Sequence, residues 1–252
     1  MVGQGRNPTA APNTTSTSYD RLSRVYDALF DPFEAPLRAA ALGLLAPRSG
    51  ERILEIGSGT GRALVPLATA VASRGLVAGI DLSARMLAAC SRQLRRIPGP
   101  SRVGIARARA QSLPLQGSAF DAVFMSFTLE LFEPPNDTEV LAECWRVLRP
   151  SGRMVVLSLW KAERPAFAAR AYAVGHWLLP ALLDCRPIEL DGLLRRAGFV
   201  IHRSATHSLS GIPVRLALAT RAASQSQDPG PTAIGGRSPP PDATRQHRDD
   251  RG

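Results

Sequence analysis

Apolar residues along this chain follow two alternating rhythms. Short, mostly apolar runs, Ile53-Leu54 with Ile56, Leu76 to Ile80, Phe120 to Phe127 and Met154 to Leu159, have the branched and aromatic content of strands buried on both faces. Between them, Leu64, Val65, Leu67, Ala68 and Val71, then Met86, Leu87, Cys90 and Leu94, then Val140, Leu141, Cys144, Val147 and Leu148, each fall on one stripe of a helix. Arg102 to Ala108 is a further short strand. Strand and helix taking turns in this way predict an α/β fold built on a doubly wound, mostly parallel sheet. Local signals agree: Pro66 lies in the first turn of its helix, Ser83 is placed to cap the next, and Pro98 ends it.

The ends differ. Residues 1–18 and 223–252 are rich in Ser, Thr, Pro, Gly and Gln without periodicity, and disorder is expected for both. From Tyr19, residues Leu22, Val25, Tyr26 and Leu29 stand at helical spacing, and a second helix is expected from Phe33 to Leu45, ended by Pro47 and Gly50. Residues 19–50 are therefore a helical preface and 51–222 the main domain. Within it, an apolar helical insertion spans about 161–187, with Phe167, Tyr172, His176 and Trp177 before Pro180. A helix Glu189–Arg196 stopped by Gly198, then strands Val200–Ala205 and Pro213–Thr220, complete the domain.

Composition narrows the class. With 252 residues and 44% hydrophobic content, one core is the default. Cys90, Cys144 and Cys185 lie far apart without CxxC spacing, which points away from a disulfide framework or a metal cluster and toward a reducing cytoplasm. No run reaches the roughly 20 apolar residues a membrane span needs. A net charge of +10 raises anionic partners. Lys161 is the only lysine, however, which looks like a coding bias, and the arginines gather only around Arg92, Arg95, Arg96 and Arg102, with Arg107 and Arg109 near. A solvated basic face is the plain reading and peripheral contact with an acidic lipid surface the alternative; nucleic acid is disfavoured.

The first strand ends in Glu55-Ile56-Gly57-Ser58-Gly59-Thr60-Gly61. Glycines there let the backbone turn sharply and leave room for a nucleoside. A dinucleotide fingerprint needs glycine at its sixth position, and Arg62 stands there instead. The second strand ends in Asp81, at about the distance beyond the loop where a carboxylate can accept hydrogen bonds from ribose hydroxyls.

Loop and acid together resemble motif I and the ribose acid of the class I S-adenosylmethionine-dependent methyltransferases, and the likeness extends over about Tyr19 to Arg221. It implies a Rossmann-like, seven-stranded sheet closed by a C-terminal reversed hairpin strand, and S-adenosyl-L-methionine as cofactor. It places Glu55, Gly57, Ser58, Gly59, Thr60, Gly61 and Asp81 at the cofactor, with Leu82 and Met86 flanking adenine, although Met86 on its stripe also reads as core. Ser126 ends the fourth strand, which in the family reaches the donor sulfur. The Asp-Ala pair usual after the third strand is Arg109-Ala110 here, so adenine would be held by a backbone carbonyl, by Gln111 or by guanidinium stacking. Tyr19 and Tyr26 resemble lid tyrosines of the ubiquinone and menaquinone C-methyltransferases, often labelled type 11; they equally suit helix packing. The Arg149-Pro150-Ser151-Gly152 turn resembles the family's Leu-Arg-Pro-Gly-Gly signature, with Ser151 replacing a glycine.

The implied reaction is methyl transfer to a small hydrophobic acceptor such as a quinone precursor. A phospholipid-headgroup amine is the alternative acceptor, and a cofactor-binding protein without turnover is the alternative class, suggested by Arg109. If the acceptor must lose a proton, Glu130, Tyr172, His176 and Asp184 are candidates. Glu130 is either that group or a solvent-facing loop acid, and His176 either a base or a packing residue.

Overall fold

A computed structural model describes residues 32–96, 102–161 and 186–222. After helix α1 (32–45) come β1 (Arg52–Ile56), α2 (Leu64–Val71), β2 (Leu76–Asp81), α3 (Ala84–Leu94), β3 (Val103–Arg107) and β4 (Phe120–Ser126). A 3-10 turn at Leu129–Leu131, α4 (Asn136–Val147), β5 (Leu148–Leu159), α5 (Leu190–Arg196), β6 (Phe199–Leu209) and β7 (Ile212–Arg221) follow. The seven strands lie in the order β3-β2-β1-β4-β5-β7-β6. Strands β1 to β5 are parallel, and β7 runs against both β5 and β6. The expected doubly wound sheet with one reversed strand is therefore present.

Each face of the sheet buries its own core. Ile53, Phe124, Val155 and Leu157 pack with Ala41 and Leu45 of α1, Leu64, Leu67 and Val71 of α2, and Cys90 of α3. Leu54, Ile56, Val123, Met125, Met154 and Val156 pack with Leu141 and Cys144 of α4 and Leu190 and Leu194 of α5. Neighbours along one strand thus alternate between cores, as the pleat requires.

Two local expectations shift. The turn expected at Arg149–Arg153 is a bulge within β5: Phe120 pairs with Leu148, Ala122 already pairs with Arg153, and Ser151 adopts φ +61°. Strands β6 and β7 run longer than their apolar runs, because Ser210 and Gly211, at φ +49° and +91°, close them into a two-residue hairpin. The signal was the Ser-Gly pair, masked by the polar stretch before it.

Helix α1 is fastened at one end. Arg153 of β5 donates from Nε to Leu45 O (2.6 Å) and from Nη2 to Ala46 O (2.9 Å), and pairs with Glu51 beside β1 (2.7 Å). That clamp satisfies carbonyls which a helix C-terminus otherwise leaves open. It lies where β1 and β5 begin, so α1 runs back up the sheet and its first turns reach the edge where the parallel strands end. No helix among the described residues is long and apolar enough to cross a membrane.

Candidate active site

The glycine loop is held by the strand beside it. Gly57 N and Ser58 N both donate to Ile80 O (2.9 Å each), and Gly61 N donates to Ser58 O (2.8 Å). Gly57, Gly59 and Gly61 take φ of +72°, +50° and +88°. Their reasons for being glycine differ. A Cβ on Gly57 would lie 2.3 Å from Thr128 Oγ1, and one on Gly61 would lie 2.6 Å from Cys90 Sγ, whereas one on Gly59 would meet nothing within 4 Å. Only Gly59 keeps open space for a ligand; the other two let the chain pack on itself, which corrects the expectation that all three make room for a nucleoside.

Asp81 stands at this loop. Its Oδ2 accepts from Gly59 N and its Oδ1 from Ser83 N, both at 2.8 Å. An ionised carboxylate has about four acceptor sites, so two backbone bonds orient Asp81 and leave capacity for hydroxyl donors. Ser83 caps α3 by accepting from Met86 N (3.3 Å).

Two polar groups under the loop lack partners. Glu55 is 4% exposed and its Oε2 has no hydrogen-bond partner; Ser58 Oγ is buried in the same condition. Burial pushes the Glu55 carboxyl well above the usual range, the Asp81 charge adds to that, and Arg38 of α1 opposes it. Leaving buried polar atoms unsatisfied is costly, so such atoms at a site mark places for a ligand's donors and acceptors.

Around the loop, Thr60, Met86, Gln111 and Ser126 are half-buried, Ala110 is buried, and Leu82 is 59% exposed. Arg109 is exposed. The stretch bearing Ala110 and Gln111 is tied down by side chains that the sequence did not single out. Leu113 N donates to Glu143 Oε2 (2.6 Å), and Arg146 donates to Leu113 O (3.1 Å), Leu115 O (2.8 Å) and Glu143.

The end of β4 forms the second half of the site. Phe127 sits at φ +50°, a strained value for an aromatic residue, with its N–H on Leu157 O (2.7 Å). Thr128 donates from Oγ1 to Ser126 O (3.0 Å). The following 3-10 turn carries Glu130, which is 1% exposed. The solvent-facing alternative is therefore excluded. Glu130 Oε1 accepts from Leu159 N (3.0 Å), while Oε2 is buried without a partner. Burial raises this carboxyl to about 7, against the lowering effect of its backbone hydrogen bonds and with a further upward push from Glu34 of α1.

Two neighbours went unnoticed in the sequence. Ser158, a lone hydroxyl in the apolar run of β5, is fully buried with Oγ unpartnered. Asp137 is buried at the start of α4 and pairs with Arg186 (3.4 Å), whose N–H donates to Glu130 O (3.2 Å). Tyr19, Tyr26, Tyr172, His176 and Asp184 lie outside the described residues.

A methyltransferase-domain family profile matches residues 53–152. The chain is 32% identical over 201 residues to the nocamycin O-methyltransferase of Saccharothrix syringae, covering 72% of this chain and 71% of that one. It is 31% identical over 216 residues to the ubiquinone/menaquinone biosynthesis C-methyltransferase UbiE of Syntrophotalea carbinolica, covering 76% and 89% respectively. The solved structure of a SAM-dependent methyltransferase from Aquifex aeolicus superposes with a TM-score of 0.62 at 22% identity, over 79% of this chain and 98% of that one. The residues in place fit S-adenosylmethionine: open space at Gly59, an oriented carboxylate at Asp81, and buried acceptors at Glu55 and Ser58 without partners of their own. The chain belongs to the class I S-adenosylmethionine-dependent methyltransferases, type 11 group.

Proposed function

We propose that this methyltransferase acts on a small apolar acceptor carrying an ionisable hydroxyl, such as a quinone precursor, and that Glu130 takes the acceptor's proton. The observation that carries the reading is the Glu130 carboxyl itself. It is buried at the end of β4, held through one oxygen by Leu159 N, unpartnered at the other, and poised near neutrality.

The cofactor supplies an electrophilic methyl group on a sulfonium. Asp81 and Glu55 would accept hydrogen bonds from it, Ser58 would offer a hydroxyl, and the bare Gly59 would allow close backbone approach. Glu130 receives a proton at Oε2. A phenol, enol or quinol becomes a far better nucleophile as its hydroxyl proton leaves, and a base whose pKa lies near the working pH suits that transfer. Both an oxygen acceptor and the ring carbon of a quinol would use the same step. A headgroup amine is the other candidate acceptor, but no described residue favours it over an acidic hydroxyl. Tyr172 and His176 are secondary candidates for contact with the acceptor.

The test is transfer of labelled methyl from the donor into an extract of cell lipids, followed by separation of quinone and phospholipid fractions. Label in the quinone fraction, lost in Glu130→Gln, is the expected result. Label in phospholipid, or equal transfer by the variant, would overturn the reading.

A further inference from the structure

Residues 82–120 contain seven arginines and no Asp or Glu. A coding bias toward arginine would leave acids in place, so it does not account for this stretch. Nor does the fold bring counter-charges to it: among the described residues none of the seven takes part in an ion pair. Residues 192–222 are also free of acids, yet there Arg215 is bound to Asp191 (2.6 Å) and Arg221 stacks on Trp145 at 3.6 Å.

Six of these seven arginines share one side of the molecule. Arg92 and Arg95 end α3, Arg96 follows, and Arg102 enters β3 with its carbonyl on Val77 N (2.9 Å). At the other end of this edge strand Arg107 lies in register with Asp81 and donates from Nε to Leu82 O (2.8 Å), with Arg109 two residues on. All six are exposed. The edge therefore runs from a basic end to the mouth of the cofactor site, where Leu82 presents an exposed apolar side chain.

We propose that the edge formed by α3 and β3 docks on an anionic lipid surface, so that an apolar acceptor enters the site from the bilayer. The source of the acceptor rests on the apolar-acceptor reading above; the docking itself does not. Unpaired arginines beside an exposed leucine match the charge and the apolar boundary of such a surface. A nucleic-acid partner fits less well, because residues 82–119 include no aromatic side chain on which bases could stack.

Co-sedimentation of the full chain with vesicles of equal parts phosphatidylglycerol and phosphatidylcholine, against phosphatidylcholine alone, tests this without donor or acceptor. Binding to the anionic vesicles only, weakened by salt, is expected. The variant Arg92→Gln/Arg95→Gln/Arg102→Gln should bind them on the order of a hundredfold more weakly, while Arg195→Gln/Arg196→Gln/Arg203→Gln, with the same loss of charge, should stay within about threefold. Melting curves and donor titration on both variants should match the parent, which separates docking from folding and from methyl transfer. No binding to anionic vesicles, equal losses in the two variants, or displacement from vesicles by a single-stranded oligonucleotide would overturn the proposal.

Discussion

Two buried carboxyls, Glu55 and Glu130, stand on either side of the site, and each has one oxygen without a partner. Their surroundings are made differently. Around Glu55 the working parts are backbone: glycines at positive φ and N–H groups that turn Asp81 toward the loop. Around Glu130 they are brought in from distant parts of the chain: the backbone N–H groups of Leu159 in β5 and of Arg186 beyond it, and the side chain of Glu34 in α1. A backbone-built half can serve one invariant ligand across many relatives. A half assembled from converging, sequence-distant segments can change with each acceptor.

The sharpest test of the contrast is Glu130→Gln. Methyl transfer should fall about 10²- to 10⁴-fold, the range for removing a general base, with donor affinity unchanged. In the parent, activity should rise as pH passes about 7, where Oε2 becomes free to accept a proton. Stability should move the opposite way. The folded-state value lies above the ordinary 4.5, so the folded form holds the proton more tightly, and its stabilising effect, complete at low pH, is lost as pH rises to about 7. Thermal unfolding at pH 8 should therefore show the variant more stable than the parent, on the order of 3 kcal/mol. A variant equally active at pH 8 would show that Glu130 is only a packing group.

Next in size is the pair of glycine substitutions. Gly57→Ala drives a Cβ into Thr128 at a left-handed φ and should cost about 3 kcal/mol in chemical denaturation. Gly59→Ala meets nothing and should cost only about 1 kcal/mol of stability, for its backbone conformation, yet it should weaken donor binding measurably. If both lose stability equally, the two glycines do not have separate tasks. Asp81→Ala should reduce donor affinity by about 2 kcal/mol in calorimetric titration, through loss of charge-assisted hydrogen bonds. The smallest change is expected from Ser158→Ala. Removing a buried hydroxyl that has no partner should leave the melting temperature unchanged or raise it slightly. A clear loss of stability there would mean that the hydroxyl has a partner after all.

The sheet and the cofactor half were legible because their signals are local. The run Ile53 to Ile56, the glycines after it and the acid at the tip of the next strand form one strand-turn-helix-strand unit, and parallel pairing of β1 with β2 carries Asp81 to the loop. Assigning one shared purpose to the three glycines failed because Thr128 and Cys90, the atoms that forbid side chains at Gly57 and Gly61, come from other elements. Glu130 was visible as the one acid among apolar neighbours. Its burial was not, since Leu159 and Arg186 close over it from 29 and more residues away. Ser158 shows the same limit: a serine in an apolar strand can be noticed, but whether its hydroxyl has a partner depends on packing.

The grip of Arg153 on the carbonyls of Leu45 and Ala46 spans 108 residues of sequence at its Nε bond. Helix α1 emerges early from the ribosome, but its anchor arrives only with β5, after all the strands of the cofactor half. Until then its apolar stripe lacks both the clamp and the β5 residues Val155 and Leu157 of the core it joins. An amino-terminal fragment cut short of residue 153 should thus leave that stripe more available to chaperones, and a helix made early in synthesis is among the last elements to be secured.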